Sequence, residues 1–182
     1  MDNGYKSVYS RGAEDGLVMG LCFIAMFILQ LLGRYSPIAG IAGYLMALGV
    51  PLLLYLMLRR SYRADKGRST FSSLWMHGIV VFLCGSLILA MMIYVFLRFI
   101  EPTFISDTVR ELTAVYRTIG GNDAERIADV FQTMIDKRML PTPITLTFSI
   151  LWLGSFSGAV LSMIEAAIIK LAKPYTSDTT NH

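Results

Sequence analysis

The sequence predicts an all-α membrane protein: four transmembrane helices, with an extracytoplasmic two-helix amphipathic hairpin between the third and the fourth. Three observations predict it. Between Arg68 and Arg98 lie 29 residues without one Asp, Glu, Lys or Arg, and three other stretches read similarly; about 20 mainly apolar residues suffice for a helix to cross roughly 30 Å of hydrocarbon. The chain is 54% hydrophobic and only 16% charged, against about 25% charged in an ordinary soluble domain. Its charges are also segregated, clustering at Glu14–Asp15, 59–68, 98–138 and the C-terminal tail.

The spans are expected at 16–33, 37–58, 72–97 and 143–169, within a single membrane domain over 1–182. Glu14 and Asp15 precede the first apolar stretch and a second follows almost at once, so the first reads as a retained span, not a signal peptide. Arg34-Tyr35-Ser36 is so short a connection that the first two spans must be antiparallel neighbours. Pro37 suits the first turn of the second helix, where its missing N–H is not required. Pro51 falls inside that helix and is expected to kink it.

The segment 103–140 reads as a helical hairpin. Ile105, Val109, Leu112, Tyr116 and Ile119 recur at helical spacing, with Asp107, Arg110, Glu111 and Arg117 elsewhere on the surface. Gly120-Gly121 breaks that helix. Asn122 followed by Glu125 resembles a capping box, in which a side chain and a carboxylate three residues on satisfy free N–H groups. A second amphipathic helix carries Ile127, Val130, Phe131, Met134 and Ile135, and Pro141 and Pro143 return the chain to the membrane.

Orientation follows from the excess of Lys and Arg in short cytoplasmic loops. Arg59, Arg60, Arg63, Lys66 and Arg68 crowd one connection, opposed by Asp65 alone. That loop is expected to be cytoplasmic in the inner membrane, with both termini on the same side, supported by Lys6, Arg11, Lys170 and Lys173. The hairpin then lies outside.

The search for chemistry is mostly negative. There is no phosphate-binding loop, HExxH, CxxC or nucleophile elbow, and His77 and His182 are the only histidines. No metal, no cofactor and no nucleic-acid partner is expected, and nothing supports an enzyme. Cys22 and Cys84 read as small hydrophobes in two apolar stretches.

Glu165 is the informative polar residue. In the fourth span Thr147, Gly154, Gly158, Ser162 and Glu165 share one helical face, and Gly154 and Gly158 make the GxxxG pair that lets membrane helices approach backbone to backbone. An ionisable group inside a membrane is costly and often functional. His77 lies at comparable depth in the third span, so a Glu165–His77 pair is one expectation. The other is that Glu165 reaches the cytoplasmic interface beside Lys170 or Arg59–Arg60 and only fixes helix position. At the outer rim, Gln30 and Arg34 sit one turn apart, and Arg98 and Glu101 flank the exit of the third span, a set that would make a polar cluster.

The segment 71–104, FSSLWMHGIVVFLCGSLILAMMIYVFLRFIEPTF, resembles the central part of a Bacteroidota inner-membrane family catalogued as domain of unknown function 4199. Gly78 and Ile100-Glu101-Pro102 carry the resemblance, together with the small-residue helix from Gly158 to Lys170. The resemblance implies a four-helix inner-membrane protein of this length and no catalytic residue. The expected function is a non-enzymatic accessory or scaffold subunit, self-associating through its GxxxG helix or joined to a membrane-protein partner, and recognising that partner or membrane lipid through its hairpin. The alternative is a small oligomeric transporter or lipid-linked-sugar flippase using Glu165 and His77.

Overall fold

The computed structural model describes residues 8–172. Lys6, Lys173, His182 and both termini lie outside them. The order is α1 (Val8–Leu32), α2 (Pro37–Ala64), α3 (Phe71–Val95), a π-helical turn (Phe96–Ile100), α4 (Phe104–Ile119), α5 (Asn122–Asp136) and α6 (Pro143–Leu171). Four helices are long and apolar enough to cross a membrane: Tyr9–Leu32, Pro37–Ala64, Phe71–Ile100 and Pro143–Leu171. The chain is a multi-pass membrane protein with a two-helix segment between its third and fourth spans.

Both ends of this pattern extend past the apolar runs. α1 begins eight residues before the expected 16, adding Arg11, Glu14 and Asp15 to its first turns, and α2 continues through the basic residues to Ala64. Pro37 starts α2 as expected, and Pro51 sits inside it without ending it. A proline survives there because neighbouring groups in a helical bundle re-satisfy the freed carbonyl.

The chain divides into two units, one comprising the residues up to Leu89 with those from Ile150 onward, the other Ala90–Ser149. In the first unit, α1 and α3 run parallel. Side chains added at Gly12, Gly16 and Gly20 would collide with Val80, Cys84 and Ile88 at 2.9, 2.6 and 2.8 Å, equal steps in the same direction on both helices. α3 and α6 run antiparallel: Gly78 lies against Ser162, Phe82 against Gly158, and Ser86 against Gly154. Small residues thus bring backbones close at both seams, the device that holds helices together where lipid removes most of the hydrophobic driving force. Met19, Leu54, Leu58, Leu74 and Val81 fill the space between the helices.

In the second unit, the edge of one ring of the Phe96–Phe104 pair meets the other at 5.4 Å, setting the start of α4 against the end of α3. α4 and α5 pack as an antiparallel hairpin whose seam holds buried Thr113 and Ala128 and the Tyr116–Phe131 ring contact at 5.9 Å. Thr113 is accommodated because its hydroxyl donates to the Val109 carbonyl. The turn uses Gly120 at φ 69° and Gly121 at φ 94°, conformations that side chains oppose. The expected capping box does not form. Gly121 is the residue before the helix, Asn122 is already inside it, and no side-chain cap bond is made. The glycine pair has moved the helix start one residue earlier than the cap pattern required.

Candidate functional site: a polar cluster at the basic end of the bundle

The first turns of α1, the turn after α2 and the first half of α3 bring ionisable groups together. Because Gly12 lets α1 lie close to His77 and Val80, Arg11 and Asp15 are carried to the edges of the same seam. The His77 ring is 1% exposed and its Nε2 lies 2.9 Å from Asp15 Oδ2. The two side chains share a hydrogen bond through Nε2, while Nδ1 is buried without a hydrogen-bond partner. On the adjacent side Arg11 Nη1 donates to Asp65 Oδ1 at 2.8 Å, and Ser69 Oγ donates to Asp65 Oδ2 at 2.5 Å. Asp65 caps the last turn of α2 through its backbone N–H, so its carboxylate is held where these donors converge. Burial alone would raise the Asp65 carboxyl, but the Ser69 hydroxyl and the Arg11 guanidinium hold it below the usual carboxylate range.

The expected Glu165–His77 hydrogen bond is absent: His77 turns its Nε2 to Asp15. Glu165 makes no contact of its own with Lys170 or Arg59 that would hold it at the helix end. It is 5% exposed and its Oε2 is buried without a hydrogen-bond partner. Lys170 places its ammonium 5.2 Å over the Tyr62 ring, and Arg59 lies 6.0 Å over Tyr55. Cations at this helix end are therefore turned to aromatic faces, a favourable use of their charge near an apolar medium.

Gly154, Gly158 and Ser162 lie on one face of α6 as their spacing requires. That face is taken up by α3 of the same chain, and Ser162 Oγ donates to the Gly158 carbonyl. The GxxxG pair thus forms an intramolecular seam. Of the outer rim, Gln30 rests its side-chain amide against Gly43 and Arg34 is exposed, both in the first unit. Arg98 and Glu101 belong to the second, where Arg98 is exposed.

Sequence reasoning missed Arg11, Asp15, Asp65 and Ser69 as members of the cluster. The signal was present for two of them: Gly12, Gly16 and Gly20 recur every four residues and mark the face of α1 that meets another helix, with Arg11 and Asp15 adjoining it. Among the described residues no group of three or more His, Cys, Asp or Glu side chains is placed to hold a metal ion. The arrangement fixes three chain segments to one another: the start of α1, the turn after α2 and the first half of α3.

Beside α6 an open cleft of about 390 Å³ is lined by α1, α2, α3 and α6, with Ala47, Pro51, Ser86, Leu153 and Gly154 among its walls. No charged residue lines it.

No curated protein and no solved structure matches the chain. A family model does, over residues 14–170, from the charged first turns of α1 to the last lysine of α6. The chain belongs to the family described as protein of unknown function DUF4199.

Proposed function

We propose that this protein is a non-enzymatic accessory subunit of the cytoplasmic membrane, with both termini and the Arg59–Arg68 turn inside, and that its external hairpin docks another integral membrane protein. The observation that carries this reading is one exposed apolar face. Leu112, Val115 and Ile119 of α4 are exposed, Ile119 to 67%, as are Ile127 and Val130 of α5, Val130 to 58%. At 100° per residue both stripes lie in the same rotational sense from the seam residues Thr113 and Ala128. In an antiparallel pair that places them on the same side of the hairpin, while Arg110, Arg117, Glu125, Asp129 and Gln132 fall on the other.

Two features favour a protein over the lipid surface. Helices that lie on membranes carry mainly Lys and Arg on their polar face, whereas this hairpin sets Asp107, Glu111, Asp123, Glu125, Asp129 and Asp136 against Arg110, Arg117, Arg126, Lys137 and Arg138. The exposed residues also form two parallel rows, the surface a partner helix fills. The test is capture of the full-length protein from its membranes, comparing wild type with an Ile119→Glu/Val130→Glu double variant and with Arg110→Glu on the polar side. One membrane protein, recovered in stoichiometric amount, should be lost from the double variant and kept by Arg110→Glu. Photo-cross-linking from position 119 that yields lipid alone would sink the proposal.

The transporter or flippase reading draws on a single observation, the buried Glu165 carboxyl with an unpartnered oxygen. Against it, the cleft open beside α6 is apolar and offers no route for a polar headgroup. Unchanged transport of every candidate cargo in Glu165→Gln would remove it.

A further inference from the structure

We infer that the cleft between α2 and α6 is a binding site for one acyl chain of a membrane phospholipid. The inference is independent of the hairpin and rests on where the cleft lies, what lines it and what can fill it.

The two helices that flank it are joined at the basic end of the bundle, where Lys170 covers Tyr62 and Ile169 shares a core with Leu58. Farther along, Ala47, Val50 and Pro51 of α2 and residues of α6 from Ile150 to Leu161 line the cleft. Its α6 wall runs from Ile150 to Leu161, about 11–27 Å along the helix from Pro143 at roughly 1.5 Å per residue. This is hydrocarbon depth, astride the middle of the span. Small or ring-closed residues make the room: Ala47 and Pro51 on α2, Ser86 on α3, Gly154 and Ser157 on α6. Gly154 and Ser86 abut, so a larger residue at either would close the wall.

At about 390 Å³ the cleft is as large as small-molecule pockets, and an empty space of that size would forfeit the dispersion contacts of every wall atom. Water does not fill it, because a buried water needs two to four polar partners. The only side-chain polar groups on the walls are two hydroxyls; Ser157 already donates to the Gly154 carbonyl, and Ser86, 1% exposed, meets no hydrogen-bond partner. With no charge on the walls a headgroup is excluded as well. The opening lies between two membrane-spanning helices whose neighbouring surface is apolar and exposed at Leu48 and Trp152. A single lipid acyl chain is the occupant the walls accept.

The test places the full chain in nanodiscs of phosphatidylethanolamine and phosphatidylglycerol containing a phospholipid with a photoreactive group on its acyl chain. Labelled residues are mapped by mass spectrometry. Val50 and Leu89, inside the cleft, should be labelled several-fold more than Leu48 and Leu52 on the outer surface of α2. Ala47→Trp should cut the labelling inside several-fold and leave Leu48 unchanged. Ser157→Trp, on an exposed part of the wall, should do the same and serves if Ala47→Trp fails to assemble. Labelling spread evenly over both sets, or unaltered in an assembled filling variant, would overturn the proposal.

Discussion

Asp65 stands one residue beyond α2 and receives donors from Arg11, 54 positions away, and from Ser69. Its carboxyl titrates lower in the folded protein than in the unfolded chain, since the Ser69 hydroxyl and Arg11 outweigh the cost of burial. A depressed folded value means that the ionised form favours folding. The contribution is fully present above the ordinary Asp range and is lost as pH falls through the lowered folded value. Thermal unfolding of wild type and Asp65→Asn in one detergent should therefore show a gap near neutral pH that closes in acid; a gap constant with pH would mean that only packing was lost. At this scale the sequence discloses residue types and depth. Glu165 and His77 stand out as ionisable groups within apolar spans, but their burial and partners depend on the rotation of each helix about its axis. One residue of azimuth, about 100°, decides whether His77 meets Asp15 on α1 or Glu165 on α6.

The α3–α6 seam shows what small residues do for a whole helix. At Gly158 an added methyl would overlap the buried Phe82 ring and its Cβ, whereas at Gly49 nothing lies within 4 Å. Gly158→Ala should destabilise by about 1–3 kcal/mol, the usual cost of overpacking a filled core. Gly49→Ala should stabilise by roughly 0.4–1 kcal/mol by restricting the unfolded chain. Paired thermal melts in one detergent check both, and equal effects would deny the seam. The four spans were legible because uninterrupted hydropathy needs no partner to be recognised, and the hairpin because its apolar period and Gly120-Gly121 are local signals. The capping box failed where two local signals competed and the glycine pair set the helix start. The pairing of α1 with α3 was written in Gly12, Gly16 and Gly20, yet a stripe of small residues says that a helix is approached closely without saying by which neighbour.

For the molecule as a whole, the direction of insertion decides what each end can meet. Arg59, Arg60, Arg63, Lys66 and Arg68 fall within ten residues, and the one acid among them is engaged by Arg11 and Ser69. Positive charge in a short loop resists translocation far more than acidic charge promotes it, so the turn should stay in the cytoplasm. The hairpin tip, an even number of crossings from neither terminus, should then be outside. Both sites accept an inserted reporter on structural grounds. Gly67 lies in a turn at φ 73° beside Lys66 at φ 52°, and Gly120 and Gly121 have nothing within 4 Å of an added side chain. An enzyme active only outside the cytoplasm should be silent at Gly67 and active at Gly120, and a cytoplasm-only fluorescent reporter should give the reverse. The opposite pattern would place the Asp15–His77 and Arg11–Asp65 pairs at the outer surface and the apolar face of the hairpin inside. The partner sought for that face would then be cytoplasmic.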